Sequence, residues 1–199
     1  MVNNTIKKYI KDSISVKESL LDNIMIDKLK SATDLIEVAY KSGNKVIIAG
    51  NGGSAADAQH MAGEFVSRFY FDRPALPAIA ITTDSSILTA IGNDYGYDKV
   101  FLRQVEAHAK VGDVYIAIST SGNSINIVES LKVCKNLGLK TIGLAGGKNC
   151  LMDEYCDLMI KINSLETPRI QESHLLVEHI ICALVEEALF GDYKNGTQS

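Results

Sequence analysis

His60 and Glu64 are four residues apart. On a helix that spacing puts both side chains on one face, where they could hold a metal or share proton transfer over one substrate. The same spacing also makes an ordinary solvated pair. His179 lies in an apolar stretch from Leu175 to Leu184, eight positions after Gln171. An imidazole in such a stretch is either a group with a chemical role or a satisfied core histidine. His174 and Glu178 repeat the four-residue spacing and read as structural.

Two short loops carry further signals. Asn51-Gly52-Gly53-Ser54 follows the apolar run Val46-Ile47-Ile48-Ala49. Its glycines let the backbone approach a ligand, and the helix after it aims N–H groups at the same place. A tight turn with Ser54 as helix cap would leave the same residues. The second loop, Ser119-Thr120-Ser121-Gly122-Asn123-Ser124, has four hydroxyls in six residues before a helix. One hydroxyl is enough for a cap. The surplus, together with helix N–H donors, suits a phosphate dianion. Neither loop has the spacing of a nucleoside-triphosphate or dinucleotide loop.

The elements that must position these residues are legible in the hydrophobic pattern. Short apolar runs at 46–49, 76–81, 114–118, 140–145 and 157–162 predict five strands. Helical patterns fall at 55–69, 85–92, 100–110, 125–137 and 169–190, the last apolar on most faces and therefore buried. Residues 1–42 predict a helical arm, as two helices or one bent one. Apolar strands alternating with helices make a doubly wound, five-stranded parallel sheet in three α/β/α layers. Segments 46–60, 114–130 and 141–153 share one strand–turn–helix design. The chain reads as a single domain over 1–199, with its core at 43–190 and a frayed polar tail at 191–199. In such sheets ligands bind outside the carboxyl ends of the strands, where both loops fall.

Composition narrows the partners. The net charge is −4 and no basic run exceeds Lys7-Lys8, so a nucleic acid is not expected. No apolar run is long enough to span a membrane and the first residues lack a secretory pattern, so a cytoplasmic protein is expected. Cys134, Cys150, Cys156 and Cys182 form no metal-type spacing and read as thiols of a reducing compartment, the middle two partly exposed. The apolar arm and last helix offer surface for packing against other copies.

The strings GNGGSAADAQHMAGEFVSRF (50–69), AIGNDYGYD (90–98), ISTSGNS (118–124) and ETPRIQESHLLVEHIIC (166–182) together resemble the phosphoheptose isomerase family of the sugar isomerase domain. The resemblance covers essentially the whole chain. It implies an aldose–ketose isomerase acting on sedoheptulose 7-phosphate, giving D-glycero-D-manno-heptose 7-phosphate for the ADP- or GDP-heptose precursors of surface glycans. It implies a zinc ion per subunit on His60, Glu64, Gln171 and His179, with Glu64 and His179 as the proton-transfer pair. Asn51, Gly52, Gly53, Ser54, Asn93, Asp94, Ser119, Thr120, Ser121 and Ser124, with Glu64 and Gln171, match substrate-binding positions. Arg68 stands where the family has an arginine, although a surface ion pair would account for it equally. The family is tetrameric, with sites at subunit contacts. Eight residues on one straight helix separate Gln171 from His179 by ~12 Å and ~80°. Both therefore reach one ion only if Gln171 lies in a non-helical lead-in or the two come from different chains, and His179 is expected from a neighbour. Two other readings remain: a non-catalytic sugar-phosphate or protein binder of the same fold, which is expected to lack the Glu64 position, and an isomerase of another sugar phosphate.

Overall fold

The computed structural model describes residues 2–192, so the tail from Tyr193 onward lies outside the described residues. The arm is two helices, α1 (Val2–Glu18) and α2 (Asn23–Lys41). No glycine or proline separates them. The break comes from Asp22, whose extended backbone leaves the helix while its carboxylate accepts from Ile24 N at 2.9 Å, capping α2. Five strands follow: β1 (Val46–Gly50), β2 (Ala78–Ala80), β3 (Val114–Ile118), β4 (Lys140–Gly146) and β5 (Leu158–Ile162). They pair in parallel in the order β2-β1-β3-β4-β5. Between and after them run α3 (Gly53–Val66), α4 (Ser85–Tyr95), α5 (Leu102–His108), α6 (Ile125–Leu137) and α7 (Thr167–Phe190).

This is the doubly wound sheet expected from the pattern. Every residue of β1 and β3 is buried, because both faces are covered. One apolar cluster joins the sheet to α2, α3 and α7 through Leu29, Ile36, Phe65, Val177 and Ile181. The other joins it to α5 and α6 through Val105, Ile127 and Leu131.

Some boundaries differ from the pattern, each for a local reason. β2 is three residues rather than six, since Pro77 has no N–H and Leu76 N donates to Phe65 O instead of the ladder. α3 starts at Gly53, after Gly52 at φ 56°, so Ser54 lies inside the first turn and is not the cap. It ends at Val66 rather than near 69, where Ser67 (φ −85°, ψ −100°) turns the chain out. α7 is buried along one face only: Leu184 is 42% exposed, because the elements of this chain cover one side of it.

Candidate active site

β1 and β3 are neighbours whose chains leave toward opposite edges of the sheet, so a crevice opens where they end. The two sequence loops line it. At the end of β1, a Cβ on Gly50 would sit 2.4 Å from the Ser54 carbonyl oxygen, so only glycine permits this turn. Asn51 then meets Asn126, from the first turn of α6, in a reciprocal amide pair. Asn51 Nδ2 donates to Asn126 Oδ1 at 2.9 Å, and Asn126 Nδ2 donates to Asn51 Oδ1 at 2.8 Å. The Tyr97 hydroxyl also donates to Asn51 Oδ1, at 3.4 Å.

The second loop gathers its hydroxyls. Ser119 Oγ lies 3.0 Å from Ser124 Oγ and 3.4 Å from Ser121 Oγ. Ser124 occupies the N-cap position of α6 but makes no side-chain cap bond. Hydroxyls that face one another at a helix N-terminus, rather than the helix itself, remain available to an anion. Thr120, Ser121 and Asn123 border a cleft of about 290 Å³ shared with Lys148 and Thr167.

Below the crevice α3 and α7 lie side by side and run in the same sense. Near their starts, Gln171 Nε2 donates to Asp57 Oδ2 at 3.3 Å. Gly53 is also there, where an added Cβ would fall 2.1 Å from Gln171 Nε2. Further along, His60 Nε2 and His179 Nε2 are 2.7 Å apart, and His60 Nε2 is 3.3 Å from Glu64 Oε1. Ligand atoms of His60, Glu64 and His179 all lie within 4.8 Å of one another. Two imidazole nitrogens and a carboxylate converging in this way are the donor set of a catalytic zinc site with an open position. The residues therefore fit the metal that the sequence resemblance implies.

These contacts correct the expectation that His179 arrives from a neighbouring chain. It meets His60 and Glu64 within one chain. They also correct the proposed lead-in: Gln171 is helical, inside α7, and its amide engages Asp57. The parallel run of α3 and α7 lets each residue of the distant pair find its own partner on α3. Asn93 and Asp94 sit exposed near the end of α4, bonded to each other through Asn93 Nδ2 and Asp94 Oδ1 at 2.8 Å. Arg68 is exposed, past the end of α3, and has no ion-pair partner among the described residues. His174 and Glu178 do not pair with each other. Both are fully buried, and no nitrogen or oxygen of either side chain has a hydrogen-bond partner at ordinary geometry.

Burial shapes the acids and bases around the cluster. Asp57 is raised above the usual carboxylate range by desolvation, against the opposing pull of Gln171 and His60. Desolvation, with Asp57 as a like charge, pushes Glu178 up to about 8. Burial takes His174 down to about 4. Asp57 was absent from the sequence reading, although it stands on the His60–Glu64 face one turn earlier. Asn126 and Tyr97 were missed as well. Asn126 directly follows the hydroxyl loop and its first helical residue, but nothing in its type announced a partner 75 residues away.

The SIS domain family model matches residues 8–146. The phosphoheptose isomerase of Aneurinibacillus thermoaerophilus is 59% identical over 191 residues, 95% of this chain and 96% of that protein. Phosphoheptose isomerase 2 of Campylobacter jejuni is likewise 59% identical, over 96% of this chain and 95% of that protein. The solved structure of the Neisseria gonorrhoeae phosphoheptose isomerase superposes with a TM-score of 0.88 at 36% identity, covering 94% of this chain and all of that one. The chain belongs to the SIS domain family.

Proposed function

We propose that this chain is a phosphoheptose isomerase, interconverting sedoheptulose 7-phosphate and D-glycero-D-manno-heptose 7-phosphate. The observation that carries the reading is the meeting of His60, Glu64 and His179 beside a crevice whose second loop is suited to phosphate. Relatives that bear the enzyme's name, at 59% identity over nearly the whole chain, support the same substrate.

A ketose becomes an aldose by moving one hydrogen from C1 to C2. Glu64 takes the proton from C1, leaving an enediol, and returns it to C2. His179 gives a proton to O2 as the enediol forms and takes one from O1 as the aldehyde appears. The hydroxyl loop, through Ser119, Thr120, Ser121 and Ser124, holds the phosphate, while Gly52 and Gly53 let the sugar chain pass close to the backbone. Asn51, Ser54, Asn93, Asp94 and Gln171 complete the proposed sugar contacts. Zinc, when bound by His60, Glu64 and His179, supplies polarisation of the substrate's C1 and C2 oxygens. Gln171 donates to Asp57 through Nε2, which leaves its amide oxygen for the metal or the substrate.

The His60 side chain is 44% exposed. We propose that a neighbouring subunit closes this open side, and assign the chain, as one domain over 1–199, to a cytoplasmic homotetramer. No helix among the described residues is long and apolar enough to cross a membrane.

The test is turnover of sedoheptulose 7-phosphate, fructose 6-phosphate and ribulose 5-phosphate, each with and without chelator. The heptulose phosphate should be preferred and the activity lost on chelation. Preference for another sugar phosphate would reassign the substrate. Turnover of none would leave a binding protein.

A further inference from the structure

Arg73 and Glu186 form an ion pair sealed from solvent, each side chain only 1% exposed, and neither takes part in the chemistry above. Arg73 Nε donates to Glu186 Oε1 at 3.1 Å. The rest of the guanidinium turns to the end of α3: Nη2 donates to the Glu64 carbonyl at 2.8 Å and Nη1 to the Phe65 carbonyl at 2.7 Å. The last carbonyls of a helix have no partner within it, and a turn left without one frays. Glu64 stands in that last turn, two residues before α3 ends.

Glu186 works on the other side. It lies two turns after His179 on α7, and its oxygens accept from Phe69 N at 2.8 Å and Tyr70 N at 2.7 Å. That fixes the turn from which the Phe69 ring packs on the His179 imidazole, with ring centres 5.6 Å apart. One buried pair therefore ends in contacts to the backbone of Glu64 and to the ring beside His179.

We infer that Arg73 and Glu186 are positioning residues for the His60–Glu64–His179 cluster, clamping the end of α3 to α7 so that the carboxylate and the two imidazoles converge. The inference rests on the isomerase reading for what the cluster does, and on the contacts alone for how it is held. Groups behind a metal's ligands commonly alter its affinity by about 10- to 100-fold.

The experiment compares Arg73→Lys, Arg73→Gln, Glu186→Gln and the Arg73→Lys/Glu186→Gln double variant. Zinc affinity is read by competition with a chromophoric chelator, cooperative unfolding on metal-free protein, and kcat and KM on sedoheptulose 7-phosphate. Zinc binding should weaken about 10- to 100-fold and kcat should fall, with KM little changed. Arg73→Lys keeps the cation against Glu186 but loses the fork, and should suffer less than Arg73→Gln. The double variant should be no worse than the weaker single, since both act through one link. A folded variant with wild-type zinc affinity and kcat would overturn the inference. So would failure of Arg73→Lys to fold, which would make the pair a determinant of the whole fold. A wild-type protein that binds no zinc refutes the metal reading instead, and the kcat of the folded variants then decides on the clamp.

Discussion

Asn51 and Asn126 hold each other by both ends of their side-chain amides, across the gap between β1 and β3. Each loop of the crevice is thereby fixed to the other. Asn126→Ala leaves the Asn51 amide without its main partner, a loss of about 1–3 kcal/mol. The melting temperature should drop, and KM for the sugar phosphate should rise by roughly tenfold as the loops separate. Steady-state kinetics and thermal unfolding check both. Unchanged values would show that the loops keep their places without the brace.

Ser119→Ala and Ser124→Ala should each raise KM strongly, because a hydroxyl donating to a phosphate contributes about 1.5–3 kcal/mol. Inhibition by inorganic phosphate should weaken in parallel. A normal KM in both variants would move the phosphate off this loop.

Glu64→Gln keeps the side chain's shape and removes the base, so kcat should fall about 10²- to 10⁴-fold in a folded protein. Since Glu64 and His179 meet within one chain, mixing inactive Glu64→Gln subunits with inactive His179→Gln subunits should restore nothing. Activity recovered on confirmed subunit exchange would mean that the working site draws the two residues from different chains.

Glu178 sets the sign of a pH effect. Its folded value of about 8 exceeds its ordinary 4.5, so between those values the folded state holds a proton that the unfolded state has released. Stability therefore declines as pH rises through that range. His174, held down at about 4, contributes in the opposite sense below its ordinary 6.5 and offsets Glu178 there. From pH 6.5 to 8 Glu178 acts uncompensated, facing Asp57 from α3. Metal-free protein should lose a few degrees of melting temperature over that interval, and Glu178→Gln should flatten the slope. A slope that persists in the variant would place its origin elsewhere.

The sheet and its helices were legible because burial on both faces leaves continuous apolar runs such as Val114–Ile118, and because glycine-rich turns end them. Helix ends were less legible. Where α3 stops depends on carbonyls taken by Arg73, a side chain nine residues beyond Glu64, and no local pattern encodes that. The site divided in the same way. His60 and Glu64 were visible from a four-residue spacing on one helix. Their meeting with His179 was legible only through the family resemblance, since no local spacing encodes that α7 lies parallel to α3. Gln171 and His179 lie two turns apart on α7, Gln171 against Asp57 and His179 against His60. His179 therefore reaches His60 and Glu64 from the same chain, which a helical rise along α7 alone does not reveal.

Helix α1 buries none of its residues, and Val2, Ile6, Ile10 and Ile14 are each at least 50% exposed along it. Within the chain, Arg169 Nη1 grips it by the Tyr9 carbonyl at 2.6 Å. That stripe is apolar surface for a further body to cover. If that cover is another copy, then mass action governs the arm: protease sensitivity within Val2–Glu18 will rise on dilution while the sheet stays intact.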